Sequence, residues 1–248
     1  MMIASSATEF RSAVASHSLE PVEIDHAALM SARASLDEAG LLVIGEPHGV
    51  RETSNVLYHL ARALGARAIA FEWSYEEMDA PLREVLDHGT VDFERLWELP
   101  VSAEFFCGDG RITAGHFAAL LRLREEGLLD QVIAFDQLDP EPPPDPPTDW
   151  RVRDQDMADR LMQEWDQRFP LLLLTGTFHT QLRNGDGQTM AMHLARERAI
   201  QPVMLDYASG GFWSVGKLHD VSGSARPAPI RFALPRATPA TVPGATQG

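Results

Sequence analysis

The chain has 248 residues, of which 44% are hydrophobic and 23% are charged, and its formal net charge at pH 7 is −15. This hydrophobic fraction can fill a sizeable core, and the length suits a single domain. The negative charge argues against a nucleic-acid partner, which needs a basic face, and against an anionic membrane surface. The single cysteine, Cys107, excludes an internal disulfide and fits a reducing compartment.

No targeting or membrane signal stands out. The first twenty residues lack the apolar core of a signal peptide, and no stretch approaches the roughly 18 apolar residues of a membrane span. We therefore expect a cytoplasmic protein. Residues 1–20 are predicted to be a flexible arm or a short helix, residues 21–235 a single α/β domain, and residues 236–248 a disordered tail rich in Ala, Thr, Pro and Gly. The oligomeric state has no signal in the sequence.

Short apolar runs alternate with segments of helical spacing along the chain. The runs predict strands near 41–45, 68–72, 131–135, 171–175 and 202–206, and helical patterns lie between most of them. Such alternation is typical of a mostly parallel central sheet with helices on both faces, and this is the predicted fold class.

Two later segments and one proline-rich run complete the predicted elements. GGFWSVGKLHD at 210–220 and PIRFALP at 229–235 could supply edge strands. The run PEPPPDPP at 140–147 can be neither helix nor central strand, because proline lacks the backbone donor and fixes φ. We interpret it as an extended surface loop or lid.

Four chemically active side chains follow three of the predicted strands. Glu46 and His48 follow the first strand, Glu72 ends the second, and His179 follows the fourth. Because ligands bind outside the carboxyl ends of parallel strands, we expect these four side chains to share one crevice. A histidine there can take a proton from water while a carboxylate orients it. The alternatives are a surface-loop role for His48 and a capping role for His179.

Glu46 and Glu72 end apolar strands and should be partly buried. A buried unpaired carboxylate is costly, so each should meet a cation, a metal, the other carboxylate or loop amides. Together with His48 and His179 they form a candidate cage for a divalent metal such as manganese, iron or zinc. The sequence has no zinc spacing such as HExxH or CxxC.

Three further residues are candidates for substrate binding. Arg51 opens the helix after the first strand, where it could either grip a carboxylate or phosphate or pair with Glu46. Asp136 ends the third strand, and Trp73 either belongs to the core or lines an apolar pocket. The chain has neither a GxSxG elbow nor a dinucleotide fingerprint, so an ordinary serine hydrolase is not indicated.

Several of these strings resemble one protein superfamily. IGEPHGVRE at 44–52 and AFEWS at 70–74 look like the corresponding motifs of the erythromycin esterase-like proteins. The likeness continues with IAFDQ at 133–137, VRDQDMAD at 152–159 and LLLLTGTFHT at 171–180. The short Gly-Glu-x-His form looks more like the related ChaN-like haem-uptake and Tiki-type metalloprotease branches.

The resemblance implies hydrolysis of an ester, lactone or peptide of specialised metabolism by an activated water. His48 would be the general base, and Glu46 and Glu72 would orient it or hold a metal. His179 would assist the leaving group or ligate the same ion, and Arg51 would position the small-molecule or peptide substrate. The ChaN-like branch implies an alternative, in which the protein binds haem or another planar ligand without catalysis.

Overall fold

The computed structural model describes residues 3–99, 110–137, 150–183, 187–214, 217–221 and 228–244. Cys107 and the proline-rich run at 140–147 lie outside these ranges. The described helices are α1 (Ala7–Ser16), α2 (His26–Ala39), α3 (Arg51–Leu64), α4 (Tyr75–His88), α5 (Phe93–Glu98), α6 (Ala114–Glu125), α7 (Trp150–Glu164) and α8 (Met190–Leu194). Within the described ranges, no helix combines the length and the apolar character needed to cross a membrane.

Six parallel strands form the central sheet, which confirms the predicted α/β fold class. The described strands are β1 (Ile3–Ala4), β2 (Leu41–Glu46), β3 (Ala68–Ser74), β4 (Gln131–Asp136), β5 (Leu171–Gly176), β6 (Val203–Tyr207), β7 (Gly211–Ser214), β8 (Lys217–Asp220), β9 (Ile230–Leu234) and β10 (Val242–Pro243). The sheet order is β4-β3-β5-β2-β6-β9. All five predicted strands belong to it, and β9 is the edge strand that PIRFALP predicts. β7 and β8 instead form a separate antiparallel hairpin.

The order of the strands explains why helices cover both faces of the sheet. From β2 the chain moves through β3 to β4 in one direction, then returns through β5 to β6 and β9 in the other. Parallel crossovers are right-handed, so reversing the direction places the connecting helices on the opposite face. Accordingly, α3, α4 and α6 contribute to one buried cluster and α7 and α8 to the other.

The reversal also creates a crevice between two neighbouring strands of the sheet. β2 and β5 pair over six residues, and their carboxyl ends meet where Glu46 lies opposite Gly176. The chain leaves β2 toward α3 on one face and leaves β5 toward α8 on the other. Adjacent strands whose connections diverge in this way leave a ligand-binding crevice at their carboxyl ends.

The amino-terminal segment is folded: of the two alternatives predicted for residues 1–20, the flexible arm is wrong for residues 3–16 and the short helix is present as α1. β1 pairs with β10, and α1 follows with Ser6 as its N-cap. Phe10 is fully buried, and its ring packs edge-on against Phe93 at 6.1 Å and Phe117 at 6.0 Å. The aromatic anchor and the cap stabilise a helix whose sparse apolar residues are a weak signal in the sequence.

The carboxyl-terminal segment differs from its prediction in the same way. Residues 236–244 do not form the predicted disordered tail, because Ala237, Ala240 and Val242 are buried and β10 pairs with β1. Its small residues and prolines are the composition of a disordered chain, but here they allow close contact with neighbouring backbone. The remaining predicted tail residues, 245–248, lie outside the described ranges.

Replacing the aromatic anchor of α1 should test whether this segment belongs to the folded core. We expect Phe10→Ala to lower the free energy of unfolding by about 3–5 kcal/mol, because it removes a fully buried ring and leaves a cavity. The measurement is urea denaturation. Met30→Ala is the control, since Met30 is 49% exposed on α2 and its loss should cost less than about 1 kcal/mol. Equal, small effects of the two changes would contradict the packing of α1.

Candidate active site

The four predicted residues Glu46, His48, Glu72 and His179 meet at the carboxyl edge of the sheet. Glu72 lies at the centre of the group. His48 Nε2 lies 3.8 Å from Glu72 Oε2, and His179 Nε2 lies 3.4 Å from Glu72 Oε1. All four side chains line a pocket of about 420 Å³. The fold therefore brings together the four residues that were predicted, from their places at the strand ends, to share one crevice.

His48 and Glu46 form a hydrogen-bonded pair. His48 Nδ1 lies 3.1 Å from Glu46 Oε1, and only Pro47 separates the two residues in the chain. An ionised carboxylate can only accept a hydrogen bond, so this contact keeps the proton on Nδ1 and selects the tautomer with the lone pair on Nε2. Glu46 is 3% exposed, and Nε2 of His48 faces Glu72 in the pocket.

Gly176, at the end of β5, allows His48 to approach Glu72. A β-carbon at this position would lie 2.9 Å from His48 Nε2 and 3.4 Å from Glu72 Oε2. The strand end also donates to Glu72 Oε2 twice, from the Thr175 hydroxyl at 2.6 Å and from the Gly176 amide at 2.7 Å. β5 therefore fixes the orientation of the carboxylate and leaves space for the imidazole.

His179 has its own carboxylate partner, Asp154. His179 Nδ1 lies 2.5 Å from Asp154 Oδ1, which also accepts the Met190 amide at 3.0 Å. Asp154 is fully buried on α7. Sequence reasoning did not assign it to the site, although a signal was present: the acid shares the buried face of the helix with Met157 and Leu161 at helical spacing.

Arg111 is a second residue of the site that sequence reasoning did not assign. Its Nη1 lies 3.7 Å from Glu72 Oε1 and donates to Asp136 Oδ2 at 3.0 Å. Arg153 donates to the same carboxylate, with Nε 2.9 Å from Oδ1. The guanidinium of Arg111 thus lies in the pocket lining, held there by a buried acid.

The three residues predicted to bind substrate have other positions. Asp136 is fully buried behind Arg111, so it orients the arginine and does not reach the pocket. Trp73 is also buried, where it stacks on Phe71 at 4.2 Å and donates from Nε1 to the Arg111 carbonyl oxygen. Arg51 is exposed and outside the pocket lining. Arg111, and not Arg51, is the arginine that lies beside Glu72 in the pocket lining.

The electrostatics of the site follow from burial opposed by close charges. Burial alone would lower the pKa of His179, but the charge of Glu72 and the bond to Asp154 raise it to about 10. Burial likewise opposes protonation of His48, yet Glu46 and Glu72 raise its pKa above the usual 6.5. For Glu72, the charges of His179 and Arg111 overcome burial and hold the pKa well below its ordinary value. Burial raises the pKa of Glu46, against the hydrogen bond from His48.

The predicted metal set does not fit a divalent ion as these side chains are arranged. Within the described ranges, no three or more His, Cys, Asp and Glu side chains are grouped as a metal site. Glu72 Oε2 already accepts two hydrogen bonds, and Oε1 faces the cationic groups of Arg111 and His179. A guanidinium and an imidazolium therefore supply the positive charge beside the Glu72 carboxylate without a metal ion.

Comparisons with known proteins do not assign the chain to a family. No protein-family profile matches it, and no curated protein matches it either. One solved structure, described as "Bacterial protein toxins", is similar to it with a TM-score of 0.48 and 13% sequence identity. The match covers 80% of this chain and 38% of that one, so the chain spans well under half the length of the toxin structure. A likeness this distant carries no argument about the present site.

The raised pKa of His179 predicts a specific dependence of stability on pH. The pKa is about 10 in the folded protein and about 6.5 in the unfolded chain. Since the folded value is the higher, this histidine contributes stability that is fully present below pH 6.5 and is lost as the pH rises through 10. At about 1.4 kcal/mol per pKa unit, the loss should amount to a few kcal/mol.

The measurement is the free energy of unfolding in urea at several pH values, for the wild type and for His179→Gln. The variant lacks the titrating group, so the free energy of unfolding of the wild type should exceed that of the variant by less and less as the pH rises from 6.5 to 10. Glu72 is ionised in both the folded and the unfolded chain over this range and adds no slope. A difference that stays constant with pH would contradict the charge pairing of His179.

Proposed function

We propose that the protein is a hydrolase that attacks a carboxylic ester, a lactone or a peptide bond with a water activated by His48. The observation that carries the proposal is the pair of histidines on either side of Glu72, each held through Nδ1 by its own carboxylate. His48 pairs with Glu46 and His179 with Asp154. Two such pairs in one pocket can serve as a base and an acid for a single reaction.

In this mechanism His48 is the general base. Its Nε2 takes a proton from a water as the water oxygen attacks the substrate carbonyl carbon. Glu46 retains the Nδ1 proton of His48 in a hydrogen bond and stabilises the imidazolium that forms. The carbonyl π electrons move to oxygen, giving a tetrahedral oxyanion.

His179 serves as the acid because its pKa of about 10 keeps it protonated at neutral pH. As the tetrahedral intermediate collapses, Nε2 of His179 donates its proton to the leaving alkoxide or amine. The proton held by His48 then restores His179, by way of water, for the next turnover. Arg111 and the charged His179 lie together on one side of Glu72 and stabilise the negative oxygen before the collapse.

The size and lining of the pocket suit a small molecule. Its volume of about 420 Å³ falls in the usual range for such sites. Apolar side chains from β6, from the β7–β8 hairpin and the residue after it, and from the loop after β5 form part of the wall, namely Met204, Phe212, Val221 and Phe178. Asp206, Asp220 and Arg231 line it as well. No contact of the described residues specifically favours the haem-binding alternative.

Removing the proposed base should abolish turnover while the fold is retained. We expect His48→Ala to lower kcat/KM on any ester or lactone that the wild type cleaves by at least roughly 100-fold, since general base catalysis is worth that much. Glu46→Gln should cost less, because the imidazole remains. A panel of p-nitrophenyl esters and γ-lactones, followed by initial rates, provides the measurement.

His88→Ala is the matched control, because this histidine lies on α4 with a side chain that is 65% exposed. It should keep the wild-type rate. Circular dichroism of all three variants should match the wild type. A His48→Ala enzyme with wild-type kcat/KM would exclude the proposed mechanism. A titration of the protein with haem would then test the alternative.

The two histidines should also give a bell-shaped pH profile. His48 acts as a base only when neutral, so kcat/KM should rise with pH through a pKa above 6.5. His179 acts as an acid only when protonated, so kcat/KM should fall as the pH passes about 10. Initial rates between pH 5 and 11 test this, and a profile with an acidic optimum would contradict the assignment of roles.

A further inference from the structure

One segment near the carboxyl terminus is hydrogen-bonded to three of the segments around the site. We name residues 237–241 the strap; it follows β9 and precedes β10. At its first residue it is joined to the wall of the pocket. The Ala237 amide donates to the Ser209 carbonyl oxygen at 2.7 Å, and the Gly211 amide donates to the Ala237 carbonyl oxygen at 3.0 Å. Gly211 begins the β7–β8 hairpin, whose Phe212 lines the pocket.

The middle of the strap is bonded to the loop that carries His48. The Arg51 amide donates to the Thr238 carbonyl oxygen at 2.8 Å, and the Ala240 amide donates to the Gly49 carbonyl oxygen at 2.9 Å. The Thr238 amide donates to the Glu52 carboxylate at 2.7 Å. These three bonds hold the backbone immediately after His48, where β2 has already ended and sheet pairing no longer constrains the chain.

The end of the strap is bonded to the segment that carries Arg111. The Ala114 amide donates to the Thr241 carbonyl oxygen at 2.9 Å. This segment also meets the His48 loop directly, since the Gly49 amide donates to the Gly110 carbonyl oxygen at 2.9 Å. A β-carbon on Gly110 would lie 2.4 Å from the Gly49 α-carbon, so the two backbones touch. The strap therefore joins the loop of the proposed base to the segment of the proposed cation.

We propose that the strap is the positioning element of the active site, which sets the placement of His48 relative to Arg111 and to the pocket wall. The inference rests on the proposed function for its catalytic consequence. No strap residue lines the pocket, so its action passes through the backbone of neighbouring segments. Ordering a loop residue costs about 1–2 kcal/mol of conformational entropy, and the hydrogen bonds of the strap offset that cost where the loop after His48 enters α3.

Glu52 allows the strap to be loosened without touching the catalytic groups. Glu52→Ala removes the acceptor of the Thr238 amide, whereas Glu52→Gln keeps a carbonyl oxygen at the same place and loses only the charge. In the alanine variant we expect kcat to fall roughly tenfold with KM changed less than about twofold, because small misplacement of a base affects the chemical step. The glutamine variant should stay within about twofold of the wild-type kcat.

Two measurements test the strap independently of turnover. Hydrogen exchange of the Arg51 and Thr238 amides should accelerate at least roughly tenfold in Glu52→Ala and not in Glu52→Gln, while the β5 amides keep their protection. The proton NMR signal of His48 Nδ1–H, held by Glu46, should broaden in the alanine variant alone.

These outcomes separate the two proposals. If Glu52→Ala matches the wild type in exchange, in the imidazole signal and in kcat, the strap does not position the site, whatever the enzyme hydrolyses. Equal effects of Glu52→Ala and Glu52→Gln would likewise overturn it, since a charge effect would then be responsible. If the exchange and the imidazole signal respond as expected but no ester, lactone or peptide is turned over, the proposed function fails and the positioning role remains.

Discussion

The buried carboxylate of Glu72 is the constraint on which the rest of the site depends. Removing an ionised carboxylate from water is expensive unless hydrogen bonds and opposite charges replace the water. Here the end of β5 supplies the Thr175 hydroxyl and the Gly176 amide, while His179 and Arg111 supply charge. His179 and Arg111 are in turn held by the buried acids Asp154 and Asp136, so the cost of one charge explains a network that extends to α7 and β4.

That network also explains why the two histidines differ. His179 lies between two carboxylates, Glu72 and Asp154, which makes its protonated form the stable one. His48 has a closer bond to Glu46 than to Glu72, and Arg111 opposes its protonation. One central acid can therefore act differently on two imidazoles, because Arg111 counters its effect on the pKa of His48 while Asp154 adds to its effect on the pKa of His179.

The sequence predicted the sheet and the centre of the site because both depend on local patterns. Apolar runs define the strands, and the carboxyl ends of parallel strands must share an edge, which places Glu46, Glu72 and His179 together. Arg111 and Asp154 were not predicted as site residues, because they come from a loop and a helix whose direction depends on packing across the whole sheet. For the same reason the sequence placed Asp136 correctly at a strand end but did not predict its contacts. Its carboxylate accepts hydrogen bonds from Arg111 and Arg153 and does not line the pocket.

The chain ends show a different limit of sequence reasoning. Few large apolar residues occur in residues 3–16 or 237–244, so composition favours disorder in both. Burial of Phe10 depends on Phe93 and Phe117 from other helices, and the pairing of β1 with β10 joins segments more than two hundred residues apart. Such contacts leave no periodic signal in either segment alone.

The two carboxylate–histidine pairs differ in how far apart their members lie in the chain. Glu46 and His48 are separated by one proline, so a single short stretch of backbone holds both. Asp154 and His179 are twenty-five positions apart and meet only while α7 stays packed on the sheet. A transient opening of α7 would therefore remove one of the two carboxylates that raise the pKa of His179 and leave the His48 pair intact. Glu72 would remain beside His179, so the stability of one helix sets how firmly that imidazole is held in its protonated form.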